Sequence, residues 1–240
     1  MILPDWPAPS AVKAVTTTRV GGVSQRPYDA FNLADHVGDS SQAVQRNRAI
    51  LREGLMLPSE PLWLDQVHGD SVVSCDGAAF RPQADAALSD AAGSVCVVLT
   101  ADCLPVLFCD RKGTRVAAAH AGWRGLAAGI LERCVEALDL PPEQVLAWLG
   151  PAIGPRAFEV GSEVRDAFTA AHAEARQAFA RNSAGRWFAD LYHLARIRLA
   201  AVGVTAVYGG GLCSFTDQKR FYSYRRDGTT GRMASLIWLA

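Results

Sequence analysis

Three apolar runs of strand length follow one another closely in the middle of the chain, and they constrain the fold more than any other feature. They are Val95–Ala101, Leu104–Cys109 and Arg115–His120. Runs of this length predict buried β-strands. Because these strands form a cluster and do not alternate with helices throughout, a purely doubly wound sheet is an unfavourable interpretation. Mixed sheets with helices packed outside them are the better prediction.

The rest of the chain combines further strands with helices. Strands are predicted at Val12–Val20, Pro61–His68, Ser71–Cys75, Val145–Leu149, Val204–Tyr208 and Met233–Leu239. Helices are predicted from Ser40 or Ser41, as the capping residue, to about Leu55, from Trp123 to Leu138, over Glu163–Arg176 and over Leu191–Val202. The second helix has one apolar face with four-residue spacing, made of Leu126, Ile130, Cys134 and Leu138.

The order of these elements predicts an α/β (α+β) layered sandwich in which helices flank mixed β-sheets. No internal repeat, low-complexity tract or linker interrupts the sequence, and its glycine- and proline-rich places are short. We therefore expect one domain over residues 1–240. Half of these 240 residues are apolar, which is ample for a hydrophobic core.

Charge and hydropathy restrict the class of partner. Lysine plus arginine and aspartate plus glutamate balance at 24 each, so the overall charge does not indicate a nucleic-acid or membrane-surface binder. No segment approaches the ~18–20 apolar residues of a membrane span. The opening MILPDWPAPS has neither the basic leader nor the apolar stretch of a secretory signal. We expect a soluble, cytoplasmic protein, and its oligomeric state is left open.

The six cysteines include no CxxC pair, and the chain is too long for the small disulfide-scaffold class. Most of them are expected to be buried and reduced, and to act as small apolar residues. Cys103 differs because it follows Asp102. Asp102 and Cys103 are two adjacent polar residues at a junction between strands, so Cys103 is a candidate for a functional role and not only a core residue.

Three strand ends carry metal-binding side chains beside small or turn-forming residues. His68 lies in the segment DQVHG, Cys103 in TADC and His120 in AHAGWRG. Two imidazoles and a thiolate suit Zn²⁺, which in catalytic sites takes three protein ligands and leaves a fourth position open. A water molecule bound there reaches a pKa near ~7, which makes hydroxide available at neutral pH.

Spacing alone does not establish that these residues meet, since they stand about 35 and 17 residues apart. The alternative is that each is a satisfied interior group. Against it, His120 lies in a run of small apolar residues, where an imidazole needs a partner to be tolerated. The other histidines are interpreted as structural or solvent-facing; they are His36, His172 and His193.

Cationic side chains near these motifs are candidates for binding an anion. The helix predicted to begin near Trp123 offers unpaired N–H groups and a favourable dipole, with Arg124 in its first turn. Arg19 precedes a flexible loop and could hold an anion through bidentate hydrogen bonds. Arg225 lies in an aromatic-rich loop that could stack on a purine ring. Each of these arginines could instead be an ordinary surface or packing residue.

Seven motifs occur in order along the chain. They are TTTRVGGVS at Thr16–Ser24, DQVHG at Asp65–Gly69, TADC at Thr100–Cys103, AHAGWRG at Ala119–Gly125, LGPAIGP at Leu149–Pro155, FEVG at Phe158–Gly161 and FYSYRRDGTTGRMAS at Phe221–Ser235. With these motifs the chain resembles the YfiH/YlmD family, also called the laccase-domain or multicopper-oxidase-like family. The resemblance covers nearly the whole chain, and the second, third and fourth motifs are highly specific in combination.

The resemblance implies a single-domain layered fold similar to the catalytic domain of cytotoxic necrotizing factor toxins. It implies that His68, Cys103 and His120 are metal ligands and catalytic residues, and that Arg19 binds substrate or phosphate. It also implies phosphorolysis of adenosine, inosine, guanosine and methylthioadenosine to base and sugar 1-phosphate, and deamination of adenosine to inosine. The expected substrate- and phosphate-binding set is completed by Gln66, Arg124 and Arg225.

Several mechanisms stay open. Zinc-bound hydroxide accounts for deamination, with Asp102 as a candidate acid/base, whereas phosphorolysis needs cations that hold phosphate. Other labels of the family are a copper polyphenol oxidase, or laccase, and a peptidoglycan editing hydrolase. The hydrolase would use Cys103 as nucleophile and His68 or His120 as base. Five histidines are few for multicopper chemistry, so copper is the less favoured metal. A non-enzymatic module that binds a small ligand would use the same pocket.

Overall fold

The computed structural model describes all residues, Met1–Ala240. In chain order its strands are β1 Val12–Thr16, β2 Val72–Ser74, β3 Ala86–Ser89, β4 Val95–Thr100, β5 Leu104–Asp110, β6 Val116–Ala121, β7 Val145–Leu149, β8 Glu159–Val160, β9 Phe179–Arg181, β10 Trp187–Ala189, β11 Ala206–Gly209 and β12 Met233–Leu239. Its α-helices are α1 Ser41–Leu55, α2 Trp123–Ala128, α3 Ile130–Leu138, α4 Ser162–Ala171, α5 Leu191–Ala201 and α6 Tyr224–Asp227. Short 3-10 helices cover Pro142–Gln144 and Ala173–Ala178.

The strands form three sheets. The largest has six strands in the order β11–β7–β5–β6–β3–β2. It is mixed, because β11 runs parallel to β7 and β2 runs parallel to β3, while β5 is antiparallel to both of its neighbours. A second, antiparallel sheet has the order β1–β12–β4, and a small third sheet has the order β8–β10–β9. The prediction of mixed sheets flanked by helices is confirmed.

Alternation along β5 shows how the layers are stacked. Val106 and Phe108 belong to a core shared with α2, α3 and α5, whereas Leu107 and Cys109 point to the opposite side and pack with residues of β4 and β12. The far side of the second sheet packs against α1 through Leu51. The order of layers is therefore helix, sheet, sheet, helix. Each large apolar side chain fully buried between layers contributes roughly 1.5–3 kcal/mol.

The strand predicted over Pro61–His68 is wrong. Only isolated bridges form there, one at Leu62 and one at Asp65. At the end of the segment His68 takes a left-handed conformation with a φ of 62°, which no β-strand can continue. The segment is instead an irregular connection that leads into β2.

Smaller differences occur at the ends of β1 and α1. The strand predicted over Val12–Val20 ends at Thr16, and Arg19 beyond it donates its backbone N–H to the carbonyl of Arg220. Helix α1 has its predicted bounds, but the side chain of Ser40 forms no capping hydrogen bond.

The helix predicted from Trp123 to Leu138 is two helices. Gly129 takes a left-handed φ of 108°, which ends α2 and begins α3. The predicted apolar face survives the break, because all four of its residues are fully buried: Leu126, Ile130, Cys134 and Leu138. The helix predicted over Glu163–Arg176 similarly ends at Ala171 and continues as a 3-10 helix.

All six cysteines are free thiols. Cys96, Cys109 and Cys134 are buried, and the others are half-buried. One pair is close, since Sγ of Cys75 lies 3.2 Å from Sγ of Cys96. No helix combines the length and the apolar character that crossing a bilayer requires.

Candidate metal centre

One end of the β5–β6 pair carries two of the three candidate ligands. Cys103 directly precedes β5, and His120 lies near the end of β6. The antiparallel register pairs Leu104 with Ala121 and Pro105 with His120. Strand pairing therefore brings the thiol and the imidazole to the same end of the sheet.

His68 reaches the same place from the loop before β2. Its donor atom and those of Cys103 and His120 all lie within 4.8 Å of one another. Sγ of Cys103 is 3.9 Å from Nε2 of His68, and the two imidazole rings meet edge to face with centroids 4.7 Å apart. His120 is buried, Cys103 is half-buried and His68 is exposed, so the cluster opens to solvent on the His68 side.

Asp85, directly before β3, holds two of these residues in place. Its carboxylate accepts the backbone N–H groups of Val67, His68 and Gly69 at 3.2, 2.9 and 2.6 Å. Oδ1 of Asp85 also lies 2.7 Å from Nδ1 of His120. The His120 ring is thereby oriented with Nε2 left for a metal, as outer carboxylates orient histidine ligands in zinc sites.

Sequence reasoning missed Asp85. The available signal was a lone carboxylate between Ala84 and Ala86 in an apolar segment, where a charge requires partners. Asp85 is fully buried. Burial raises the pKa of its carboxyl, but the hydrogen bonds from His120 and the backbone N–H groups outweigh burial and lower that pKa.

The thiol and the buried imidazole stabilise each other's charged forms. Burial raises the pKa of Cys103, but His120 and His68 outweigh burial and lower that pKa to about 6. Burial lowers the pKa of His120, but Cys103 and Asp85 outweigh it and raise that pKa to about 9. Cys103 is therefore a thiolate at neutral pH, which is the form that binds a metal.

Gly122 leaves the space in which the three side chains meet. A Cβ atom there would lie 2.9 Å from Cδ2 of His68 and 3.1 Å from Sγ of Cys103, closer than carbon atoms normally approach these groups. Two imidazoles, a thiolate, an orienting carboxylate and an open side together fit Zn²⁺. The cluster is thus a possible metal site.

Asp102 lies beside Cys103 but has its own partners. One carboxylate oxygen accepts the Ser214 hydroxyl at 2.6 Å, and the other accepts the backbone N–H of Arg225 at 2.7 Å. Its backbone carbonyl accepts the N–H of Ile153. With a φ of 91° it is held in a conformation that residues other than glycine rarely adopt. These bonds fix the turn that presents Cys103.

Arg19 and Arg225 are both tied to protein acceptors. Arg19 donates to the backbone carbonyls of Asp29 and Gln218 and lies over the Tyr222 ring. Arg225 donates through Nη1 to the carbonyl of Glu159 at 2.7 Å. Arg19 also lines a cleft of about 710 Å³ in which none of the three cluster residues takes part.

Gln66 and Arg124 complete the predicted set. The Gln66 amide donates to the carbonyl of Leu99 and accepts its N–H, so it anchors the loop before His68 to β4. Arg124 lies over the ring of Trp123 at the start of α2. His36, His172 and His193 lie outside the cluster.

A family model described as multi-copper polyphenol oxidoreductase laccase matches residues 13–240. The chain is 62% identical to "Purine nucleoside phosphorylase PA4543" of Pseudomonas aeruginosa, over 99% of this chain and 98% of that protein. It is 56% identical to "Purine nucleoside phosphorylase YfiH" of Escherichia coli K12, over 100% of this chain and 98% of that protein. The chain belongs to the YfiH/YlmD family.

Solved structures of similar proteins share this YfiH/YlmD fold. Neisseria meningitidis protein NMB0706 is 52% identical with a TM-score of 0.96, covering 99% of this chain and 98% of that chain. YlmD from Geobacillus stearothermophilus is 31% identical with a TM-score of 0.87, covering 96% and 92%. The resemblance drawn from the sequence motifs is thereby confirmed.

Proposed function

We propose that this chain is a zinc-dependent purine nucleoside phosphorylase, formed as one cytoplasmic catalytic domain. Its substrates are adenosine, inosine, guanosine and methylthioadenosine, each cleaved with phosphate to base and sugar 1-phosphate. It also deaminates adenosine to inosine. The names of the Pseudomonas and Escherichia relatives support the phosphorylase activity.

The observation that carries the proposal is the convergence of His68, Cys103 and His120 within 4.8 Å. Bound there, zinc would supply a Lewis acid and a water molecule of lowered pKa. The presence of one cluster of three donors supports a single zinc ion over multicopper oxidation, which needs several metal ions and more imidazoles.

The residues around the cluster have different positioning roles. Asp85 keeps Nδ1 of His120 engaged and fixes the backbone of His68, which holds both imidazoles at a constant geometry. We assign Asp102 to positioning Cys103, because both of its carboxylate oxygens already accept hydrogen bonds. In phosphorolysis, phosphate attacks the anomeric carbon of the ribose while the bond to the purine nitrogen breaks. The chain must therefore hold phosphate beside the sugar.

The test is chromatography of each of the four nucleosides, adenosine among them, incubated with zinc-loaded protein, with and without phosphate. Adenine that forms only with phosphate reports phosphorolysis, and inosine that forms without phosphate reports deamination. Cys103→Ala should abolish both products. Cys75→Ser, which alters a half-buried thiol outside the cluster, should retain them. Folded, zinc-loaded protein that converts none of the four nucleosides would overturn the proposal.

A second candidate is the wall-precursor hydrolase. The low pKa of Cys103, together with the contact between His120 and Asp85, resembles the thiolate, base and orienting acid of a cysteine hydrolase. Metal-free protein distinguishes the two functions, because a metal-bound thiolate is a poor nucleophile. Release of serine from a wall precursor by metal-free protein, lost in Cys103→Ser, would favour the hydrolase.

A further inference from the structure

Arg232 lies beside the metal centre although it is far from the three ligands in sequence. It directly precedes β12, whose Met233 pairs with Thr100 of β4. The two strands are antiparallel, so the same register sets Arg232 next to Ala101. The following residues on that side are Asp102 and Cys103.

The guanidinium of Arg232 has N–H groups that donate no hydrogen bond within the protein. Nη1 donates to the carbonyls of Thr230 and Gly231 at 2.8 and 3.0 Å. Nε and Nη2 donate to no protein acceptor, and no carboxylate lies within ion-pair distance. Burial lowers the pKa of Arg232, and the charges that oppose this most strongly are those of Cys103 and Asp102. The cation is half-buried and has no carboxylate counterion of its own.

Two other arginines, Arg19 and Arg226, do have carboxylate partners. Arg19 pairs with Asp29 at 3.4 Å, and Arg226 pairs with Asp227 at 2.7 Å. The ring of Tyr224, which is 61% exposed, lies 5.9 Å from the Arg232 guanidinium. An exposed aromatic ring therefore lies beside the Arg232 guanidinium.

We propose that Arg232 binds an oxyanion at the metal centre and sets the affinity for the phosphate co-substrate. A guanidinium presents two parallel N–H groups that match two oxygens of phosphate. Nε and Nη2, the two nitrogens left free, form one such edge. The inference rests on the proposed function for the identity of the oxyanion, but phosphate binding can be measured without turnover.

The experiment uses zinc-loaded protein and inorganic phosphate as the probe. Titration calorimetry gives the Kd for phosphate, and the phosphorolysis assay gives the KM for phosphate. Arg232→Met keeps the aliphatic stem but removes the charge, and should weaken both constants by about 10- to 100-fold. Zinc content should change little. Arg46→Met, on the exposed face of α1, is the matched control and should bind phosphate like the parent protein.

The outcomes separate this inference from the proposed function. A folded, zinc-loaded Arg232→Met variant with unchanged phosphate Kd overturns the inference, even if phosphorolysis is observed. If phosphate binding depends on Arg232 but the protein converts no nucleoside, the inference is supported and the proposed phosphorylase function is overturned. A parent protein that does not bind phosphate overturns the inference. If Arg232→Met does not fold, the Kd for phosphate is measured on Arg232→Lys instead. Lysine keeps the charge but loses the paired N–H groups, so an unchanged Kd for phosphate in that variant would overturn the inference.

Discussion

Oδ1 of Asp85 lies 2.7 Å from Nδ1 of His120, and the same carboxylate accepts the backbone N–H of His68. One buried residue therefore fixes two ligands that come from different parts of the chain. A shift of Asp85 would move both imidazoles together. The geometry of the centre depends on this residue as much as on the ligands themselves.

Asp85→Asn is expected to lower zinc affinity by about 10- to 100-fold. The amide nitrogen of asparagine cannot accept the N–H groups that the carboxylate now accepts, so either His120 or the His68 loop loses its support. The measurement is competition with a chromophoric chelator, with circular dichroism to show that the variant is folded. Asp70→Asn, at a half-buried carboxylate two residues after His68 that pairs with Arg133, should leave affinity unchanged. Equal affinity of folded Asp85→Asn and the parent protein would contradict the role of Asp85.

Gly122→Ala should impair zinc binding without unfolding the chain. Its φ of −62° and ψ of 156° suit alanine, so the damage comes from the new Cβ atom at 2.9 Å from the His68 ring. We expect zinc affinity to fall by roughly tenfold or more, as when the residues that support a metal ligand are altered. Gly54→Ala is the control, because a Cβ in that helix meets nothing within 4 Å and should add about 0.5–1 kcal/mol of stability. Parent-like zinc affinity in Gly122→Ala would show that the ligands can shift apart.

Alkylation of Cys103 by iodoacetamide in metal-free protein should rise through a midpoint near pH 6, the value to which its pKa is lowered. Below that pH the thiol is protonated and slow, whereas an ordinary cysteine becomes reactive only near its pKa of ~8.5. His120→Ala should move the midpoint upward, because it removes the largest favourable charge. Zinc should suppress the reaction at every pH. The rate is followed by mass spectrometry of the peptide that contains Cys103, and a midpoint above about pH 8 would refute the thiolate.

Asp110 offers a test of stability away from the centre. Its carboxylate accepts the backbone N–H groups of Lys112, Thr114 and Arg115 and the Thr114 hydroxyl. Burial raises the pKa of Asp110, but these bonds outweigh burial and lower it. The stabilisation is therefore complete above the unfolded pKa of ~3.9 and is lost as pH falls through the folded value.

Asp110→Asn is accordingly expected to lower the free energy of unfolding by about 1–3 kcal/mol at neutral pH. The difference from the parent protein should shrink toward pH 3 in urea titrations. Asp139→Asn, at a side chain that is 92% exposed, should have little effect at either pH. A deficit in Asp110→Asn that is independent of pH would show that the charge of Asp110 is not its source.

Glutathione disulfide is expected to join Cys75 and Cys96, whose Sγ atoms are 3.2 Å apart. Two thiols would be oxidised to one disulfide while glutathione disulfide is reduced to two glutathione thiols. The number of thiols titrated after denaturation should fall from six to four, and the closed loop should add roughly 3 kcal/mol of stability. Cys75→Ser should show neither change. Peptide mapping that finds a mixed disulfide with glutathione, and no Cys75–Cys96 link, would refute this prediction.

The clustered strands were predictable because each is a short, continuous apolar run. Val95–Thr100, Leu104–Asp110 and Met233–Leu239 are buried on both faces, so every position except the terminal Asp110 is apolar or small and the run is easily recognised. The break at Gly129 was not predictable from periodicity, since the apolar face continues across it. The strand predicted over Pro61–His68 does not form although its side chains alternate as a strand's would. Leu62 and Leu64 pack into one core and Trp63 packs against another, but the backbone pairs only through isolated bridges.

At the metal centre, the three ligands could be predicted from the sequence motifs that contain them but not from their spacing along the chain. The meeting of Cys103 with His120 is fixed by the β5–β6 register, and that of His68 by a carboxylate about 17 residues farther along the chain. Neither contact leaves a local signature. Asp85 was missed because its four hydrogen-bond partners are distant in sequence. Arg232 was missed because its proposed role depends on the absence of a carboxylate partner, which the sequence does not show. Long-range pairing of polar groups is visible only after the sheets are assembled.

The middle strand of the second sheet, β12, separates β1 from β4. On the ribosome, β1 and β4 are made long before β12, which joins them. Until then β4, with all six residues destined for burial, has no partner on that edge. Unpaired apolar edges are where nascent chains associate wrongly. This sheet therefore closes late in biosynthesis, and the interval before closure is when a chaperone would benefit the chain most.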